Sequence, residues 1–354
     1  MGSNAVKGDN GAGLSVAVYH AGQTWFYNFG TTENGKIKAA TENTVYEIGS
    51  ITKTFVSLLL AQAVVDKKVL LQDDVRKYLD GDYANLEYDH QPITLLNLAN
   101  TTSGLPEVLP SAPDSLVKSV PADSVSFVVE RYYQSLTEKD FYQLLHTVKL
   151  DTVPGYNPKH SNCAAQLLGY IIQRVYKKPL YQLIDQYILT PLQMQNTSFA
   201  SSNPNNQLLA NGYNDKGSAM PHLEQTYMQA SGGLRSSAAD MIKYAAYLLD
   251  NKTTATQLAL KKNISIDAGT NKVVGTYPAD VVDDRVYSGS LNWWHYNPKK
   301  GKQRIWADGG TMGFCSYLVL YPDAGAAVVV LSNKTGQAIF NTLPNIAGEV
   351  LNVF

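Results

Sequence analysis

The chain is expected to fold as an α/β (α+β) protein, with an antiparallel sheet flanked by helices and a mainly helical segment inserted into it. Three observations lead there. Strand-like patterns sit at both ends of the sequence, helical patterns fill the middle, and one helix near residue 55 is apolar on nearly every face. The 354 residues, 44% hydrophobic and 17% charged, are enough to bury a core of that size.

Residues 1–12, opening Met1-Gly2-Ser3-Asn4-Ala5, read as a tag or disordered leader. Residues 14–19 and 24–29 flank the turn His20-Ala21-Gly22-Gln23 and read as a hairpin. Tyr46-Glu47-Ile48-Gly49-Ser50 leads into a helix from Ile51 to about Lys67. Between Phe55 and Val65 only Ser57 and Gln62 interrupt its apolar character, as expected of a buried helix. Helical patterns follow at 164–175, with Leu167, Leu168, Ile171 and Ile172 on one face, at 180–189, and from Ser236 to about Leu249. Residues 291–296, 303–306, 314–320 and 326–331 read as strands. Residues 339–353 read as a helix in which Pro344 marks a first turn or a kink. A lone hairpin is marginal in water, so the two ends are expected to share one sheet. That gives a sheet domain from 13–80 and 231–354, a helical insert from 81–230, and a cleft between them.

Composition narrows the function. A net charge of −1 leaves no electrostatic footprint for nucleic acid or an anionic membrane. No apolar run reaches the roughly 18 residues of a transmembrane helix. Cys163 and Cys315 lack metal-ligand spacing and read as two buried free thiols, a single disulfide being the other arrangement. No metal or cofactor is expected. The expected partner is a small molecule or a peptide.

The chemistry concentrates in three clusters. In Ser50-Ile51-Thr52-Lys53, residues three apart share a helical face, so Lys53 reaches the Ser50 hydroxyl. The helix start favours a developing alkoxide, and a desolvated lysine gives up its proton more readily. The plainer reading of Ser50 is a helix cap. Ser115-Leu116-Val117-Lys118 has the same spacing, but in an expected loop among Pro110, Pro113 and Pro121, and is read as chance. In the second cluster, Pro154 to Asn162, His160 offers a proton-exchanging imidazole and Asn162 an amide for a substrate carbonyl or the lysine. Ser161 reads as the cap of the next helix. In the third, Trp306-Ala307-Asp308-Gly309-Gly310-Thr311-Met312-Gly313-Phe314, the glycines let a strand edge approach a ligand closely.

In combination these motifs resemble the serine β-lactamase family, most closely the branch of class C β-lactamases, penicillin-binding proteins, D-aminopeptidases and related esterases. Its SxxK motif matches at Ser50 and Lys53, and its Tyr-x-Asn motif as His160-Ser161-Asn162. Its third motif matches through Gly310-Thr311-Met312-Gly313-Phe314. Thr102-Ser103-Gly104-Leu105, Pro191-Leu192-Gln193-Met194 and Ala230-Ser231-Gly232-Gly233-Leu234 resemble further family segments in the same order. Two positions depart. His160 stands where the family has Tyr, and Ala307-Asp308-Gly309 where it has Lys or His, any residue, then Gly. His295 is a candidate for the missing imidazole.

The resemblance implies acyl transfer through an ester on Ser50, with Lys53 and His160 handling the proton and Asn162 orienting. Gly309, Gly310, Asp308 and Thr311 would hold substrate or oxyanion, the oxyanion by the N–H groups of Ser50 and Gly310. It implies an amide, peptide or ester substrate, such as a cell-wall peptide, and a periplasmic or secreted location. The other reading, drawn from the two departures, is a sensor or binding protein that keeps the cleft without turnover.

Overall fold

The computed structural model describes residues 12–203, 206–267, 269–270, 272–275 and 286–351. Residues 1–11 of the expected leader and Asn352 and Val353 of the expected last helix lie outside them.

Nine strands of the described residues form one antiparallel sheet. Its order is Lys272–Gly275, Ile264–Asp267, Val286–Gly289, Trp294–Tyr296, Arg304–Gly310, Cys315–Tyr321, Ala326–Ser332, Gly13–His20, Gln23–Gly30. The two ends of the chain do share it: Gly13–His20 pairs with Ala326–Ser332, Val16 opposite Val330. The first hairpin closes through Ala21 (φ 49°) and Gly22 (φ 81°), two successive positive φ values that match the twist of its strands.

Side-chain alternation splits the sheet into two buried faces. Ala17, Leu318, Leu320, Val329 and Leu331 join the main core, which is continuous with the helices of the central part of the chain. Leu14, Val16, Val18, Val319, Val328 and Val330 pack instead against Leu343, Ile346, Ala347 and Leu351 of the helix Gln337–Leu351. Pro344 sits inside that helix rather than in its first turn.

The apolar segment after Ser50 is the helix Thr52–Val65, buried along nearly all its length. It packs on Asn162–Tyr176. A small sheet of Val45–Glu47, Leu234–Ser237 and Ser198–Phe199 leads into it.

Three local expectations are corrected. Leu234–Ser237 is a strand, so the helix expected from Ser236 begins at Ala238, with Ser237 Oγ accepting from Asp240 N as its cap. Residues 291–293 are not strand: Asn292 has φ 58°, and its N–H donates to Ala99 O. Ser115 lies in a short helix, Asp114–Lys118, not a loop.

Candidate active site

The strand Val45–Glu47 ends at Gly49, whose φ of +50° turns the chain into the 3-10 turn Gly49–Ile51. A Cβ at Gly49 would lie 2.6 Å from Gly310 N. One at Gly309 would lie 2.1 Å from Ile48 O and 2.8 Å from Ser50 N. The Ser50 turn and the strand Arg304–Gly310 thus meet backbone to backbone, a spacing that only glycine permits. Ser316 Oγ, donating to Ile48 O at 2.8 Å, ties the turn to the next strand.

Thr311 N–H donates to Phe314 O, so the preceding pair, Gly310 opposite Cys315, is a non-hydrogen-bonded one. The Gly310 N–H accordingly points away from Cys315–Tyr321. On that side Trp294–Tyr296 pairs only with residues 304–306. The end of the strand is left as an open edge facing Ser50.

Lys53, 4% exposed, holds three acceptors at once: Ser50 Oγ at 2.8 Å, Asn162 Oδ1 at 2.8 Å and Ser231 O at 2.7 Å. Burial lowers its pKa to about 7, against the opposing pull of Glu107 and Asp308. A neutral lysine keeps two N–H groups, enough for Asn162 and Ser231, and turns its lone pair to the Ser50 hydroxyl.

His160 approaches from the other side, with Nε2 3.4 Å from Ser50 Oγ. Its Nδ1 lies 2.9 Å from each oxygen of Glu107, and Asn162 Nδ2 donates to Glu107 Oε1 at 2.9 Å. The Glu107 carboxylate fixes the Nδ1–H tautomer and leaves Nε2 free to accept. The loop is stitched locally. Ser161 caps the helix Asn162–Tyr176 by accepting from Ala164 N, and donates to Pro106 O; Asn162 N donates to Glu107 O. Sequence reasoning missed Glu107. The available signal was its position just beyond Thr102-Ser103-Gly104-Leu105, a segment already singled out.

Ser50, Lys53, Glu107, His160 and Asn162 line one cavity of about 370 Å³, with Asp308, Gly309 and Gly310. Thr311 does not line it; its hydroxyl lies beside the buried Glu47 carboxyl. His295 does not supply the missing imidazole. It is 2% exposed, is bonded through Nε2 to Ser290 Oγ, and has its pKa lowered to about 3 by burial. Lys118 pairs with Asp114 on the surface, away from the cleft. Cys163 and Cys315 are free and buried. Among the described residues no group of three or more His, Cys, Asp or Glu is placed to hold a metal, and no helix is long and apolar enough to cross a membrane.

The family model described as Beta-lactamase matches residues 3–347. The chain belongs to the beta-lactamase family. It is 26% identical to a "Beta-lactamase" of Pseudomonas fluorescens, covering 91% of this chain and 88% of the relative. It is 28% identical to the D-alanyl-D-alanine-carboxypeptidase/endopeptidase AmpH of Escherichia coli, covering 91% and 80%. Among solved structures, a beta-lactamase/D-alanine carboxypeptidase from Yersinia pestis superposes with a TM-score of 0.76 at 25% identity, covering 99% and 97% of the two chains. A class C beta lactamase from Rhodobacter sphaeroides superposes at 0.75 and 19% identity, which shows the shared fold. Membership in the beta-lactamase family supports a serine-hydrolase type of function.

Proposed function

We propose that the protein is a serine hydrolase that works through an acyl-enzyme on Ser50, with an amide, peptide or ester as substrate. The observation that carries this reading is Lys53 Nζ, its pKa lowered by burial, 2.8 Å from the Ser50 hydroxyl. Lys53 takes the hydroxyl proton as Ser50 Oγ bonds to the carbonyl carbon, and the carbonyl electron pair moves onto its oxygen. The N–H groups of Ser50 and Gly310 hold that oxyanion; removing one such donor typically lowers kcat by about 10²–10³. Collapse breaks the bond to the leaving nitrogen or oxygen, which receives the proton. His160, oriented by Glu107, hydrogen-bonds at Oγ and assists both transfers. Water then repeats the sequence: Lys53 takes its proton, hydroxide adds to the ester, and Ser50 leaves and is reprotonated.

The AmpH relative's name makes cell-wall peptides candidate substrates, and a periplasmic or secreted location goes with them. The alternative, binding without turnover, is favoured by Ala307 at the position of the family cation. Intact-mass spectrometry after exposure to a fluorophosphonate, and separately to a penicillin, tests both readings. Labelling of the wild type but not of Ser50→Ala is expected, and release of a carboxylic acid from a p-nitrophenyl ester should follow the same pattern. A folded wild type that neither reagent labels would overturn the hydrolase reading. Labelling without any turnover would favour the binder.

A further inference from the structure

Among the described residues that line the Ser50 cleft, four bear a charge: Lys53, Glu107, His160 and Asp308. Lys53 is committed to its three acceptors, and His160 and Glu107 are committed to each other. That leaves Asp308. Its half-buried carboxylate accepts no hydrogen bond among the described residues; burial opposes its ionisation, and His160 and Lys53, when protonated, favour it. Among the described residues no uncommitted cation lines the cleft. Where the family pattern sets Lys or His, this chain offers the methyl group of Ala307.

An aromatic wall accompanies the carboxylate. Phe340 lines the cleft with Asp308, and both border the adjoining hollow. Its Cε2 lies 4.0 Å from the point where a Cβ on Gly310 would stand, so the ring flanks the open strand edge. Arg304 also borders that hollow, but its guanidinium is stacked, 4.9 Å from the Tyr296 ring centroid and 5.4 Å from that of Trp306. A carboxylate beside an aromatic face is a receptor for an ammonium group. A carboxylate-bearing substrate would instead bring a second anion beside Asp308, a repulsive pairing.

We infer that the cleft selects substrates carrying an ammonium group near the scissile carbonyl, held by Asp308 and Phe340, and disfavours those carrying a carboxylate there. This rests on the hydrolase reading and names its substrate class.

The test uses three p-nitrophenyl esters of equal chain length whose acyl groups end in trimethylammonium, tert-butyl or carboxylate. The first two are nearly isosteric, so their ratio isolates charge. The wild type is expected to prefer trimethylammonium over tert-butyl by up to roughly fivefold in kcat/KM, the scale of one partly exposed ion pair, and to use the carboxylate ester least. In Asp308→Asn that ratio should fall toward one; Asp308→Glu should restore part of it. Circular dichroism and melting establish that each variant is folded. A wild-type ratio of one or less, or a ratio unmoved in folded Asp308→Asn, overturns the inference. An uncharged fluorophosphonate separates the two levels. If the wild type is not labelled at Ser50, the hydrolase reading falls and this inference with it. If it is labelled but shows no charge preference, this inference alone falls.

Discussion

Replacing Glu107 by glutamine keeps the shape of the side chain and removes its charge. In the wild type both Glu107 oxygens lie 2.9 Å from His160 Nδ1, and Oε1 also accepts from Asn162. A hydrogen bond to a charged partner contributes about 1.5–3 kcal/mol. The two side chains are 52% and 51% exposed, so screening places the loss at the lower end, about 1.5 kcal/mol or roughly tenfold in kcat/KM. A second effect has its own direction. The Glu107 charge holds the lysine proton on, and without it Lys53 titrates below about 7. The acid limb of kcat/KM, set by the need for neutral Lys53, should move to lower pH. Both effects are read from kcat/KM for an uncharged ester in Glu107→Gln and wild type, across roughly pH 5 to 9. An unchanged rate with an unchanged limb would refute the positioning role. A limb moved to higher pH would remove Lys53 as the titrating base.

Two further outcomes are expected. Lys53 has a folded pKa of about 7, below its ordinary 10.5, so the unfolded chain binds more protons in between and stability should rise with pH through that window, by up to about 1.4 kcal/mol per pH unit. Urea midpoints of wild type and Lys53→Met should diverge as pH rises from about 7 to 9; parallel courses would mean that Lys53 is solvated. Gly309→Ala drives a Cβ to 2.1 Å from Ile48 O and parts the strand from the Ser50 turn. Its labelling by fluorophosphonate should slow by about 10²-fold or more in a folded variant, and a wild-type rate would refute the close apposition.

Much of the sheet was legible because its hairpin and its last strands alternate and pair with near neighbours in sequence, and a marginal hairpin needs a partner; the short strands Ile264–Asp267, Lys272–Gly275 and Val286–Gly289 were not anticipated. Lys53 was legible because three residues of helix bring it to Ser50 by geometry alone. Glu107 was not. It reaches His160 across 53 residues through a loop whose path is set by tertiary contacts such as Ser161 Oγ to Pro106 O. Asn292 misled for a similar reason. Its neighbours Trp293 and Trp294 favour strand, but its amide N–H on Ala99 O and its side chain on Ser57 Oγ hold a turn there. The fate of His295 turned on which face of a three-residue strand met the core, which a one-residue shift in register would reverse.

The strand order also sets a schedule for biosynthesis. Gly13–His20 emerges from the ribosome some 300 residues before one of its two neighbours, Ala326–Ser332. Ser50 and Lys53 are translated early as well, while the strand edge that faces them, Gly309 and Gly310, comes some 260 residues later. At about 5–20 residues per second that interval is on the order of half a minute. Throughout it the growing polypeptide carries a serine and a lysine with no strand edge opposite them. On the proposed hydrolase reading the carboxy-terminal part completes the site, so a chain cut short before residue 304 is expected to be chemically silent even though its Ser50, Lys53, His160 and Asn162 are all present.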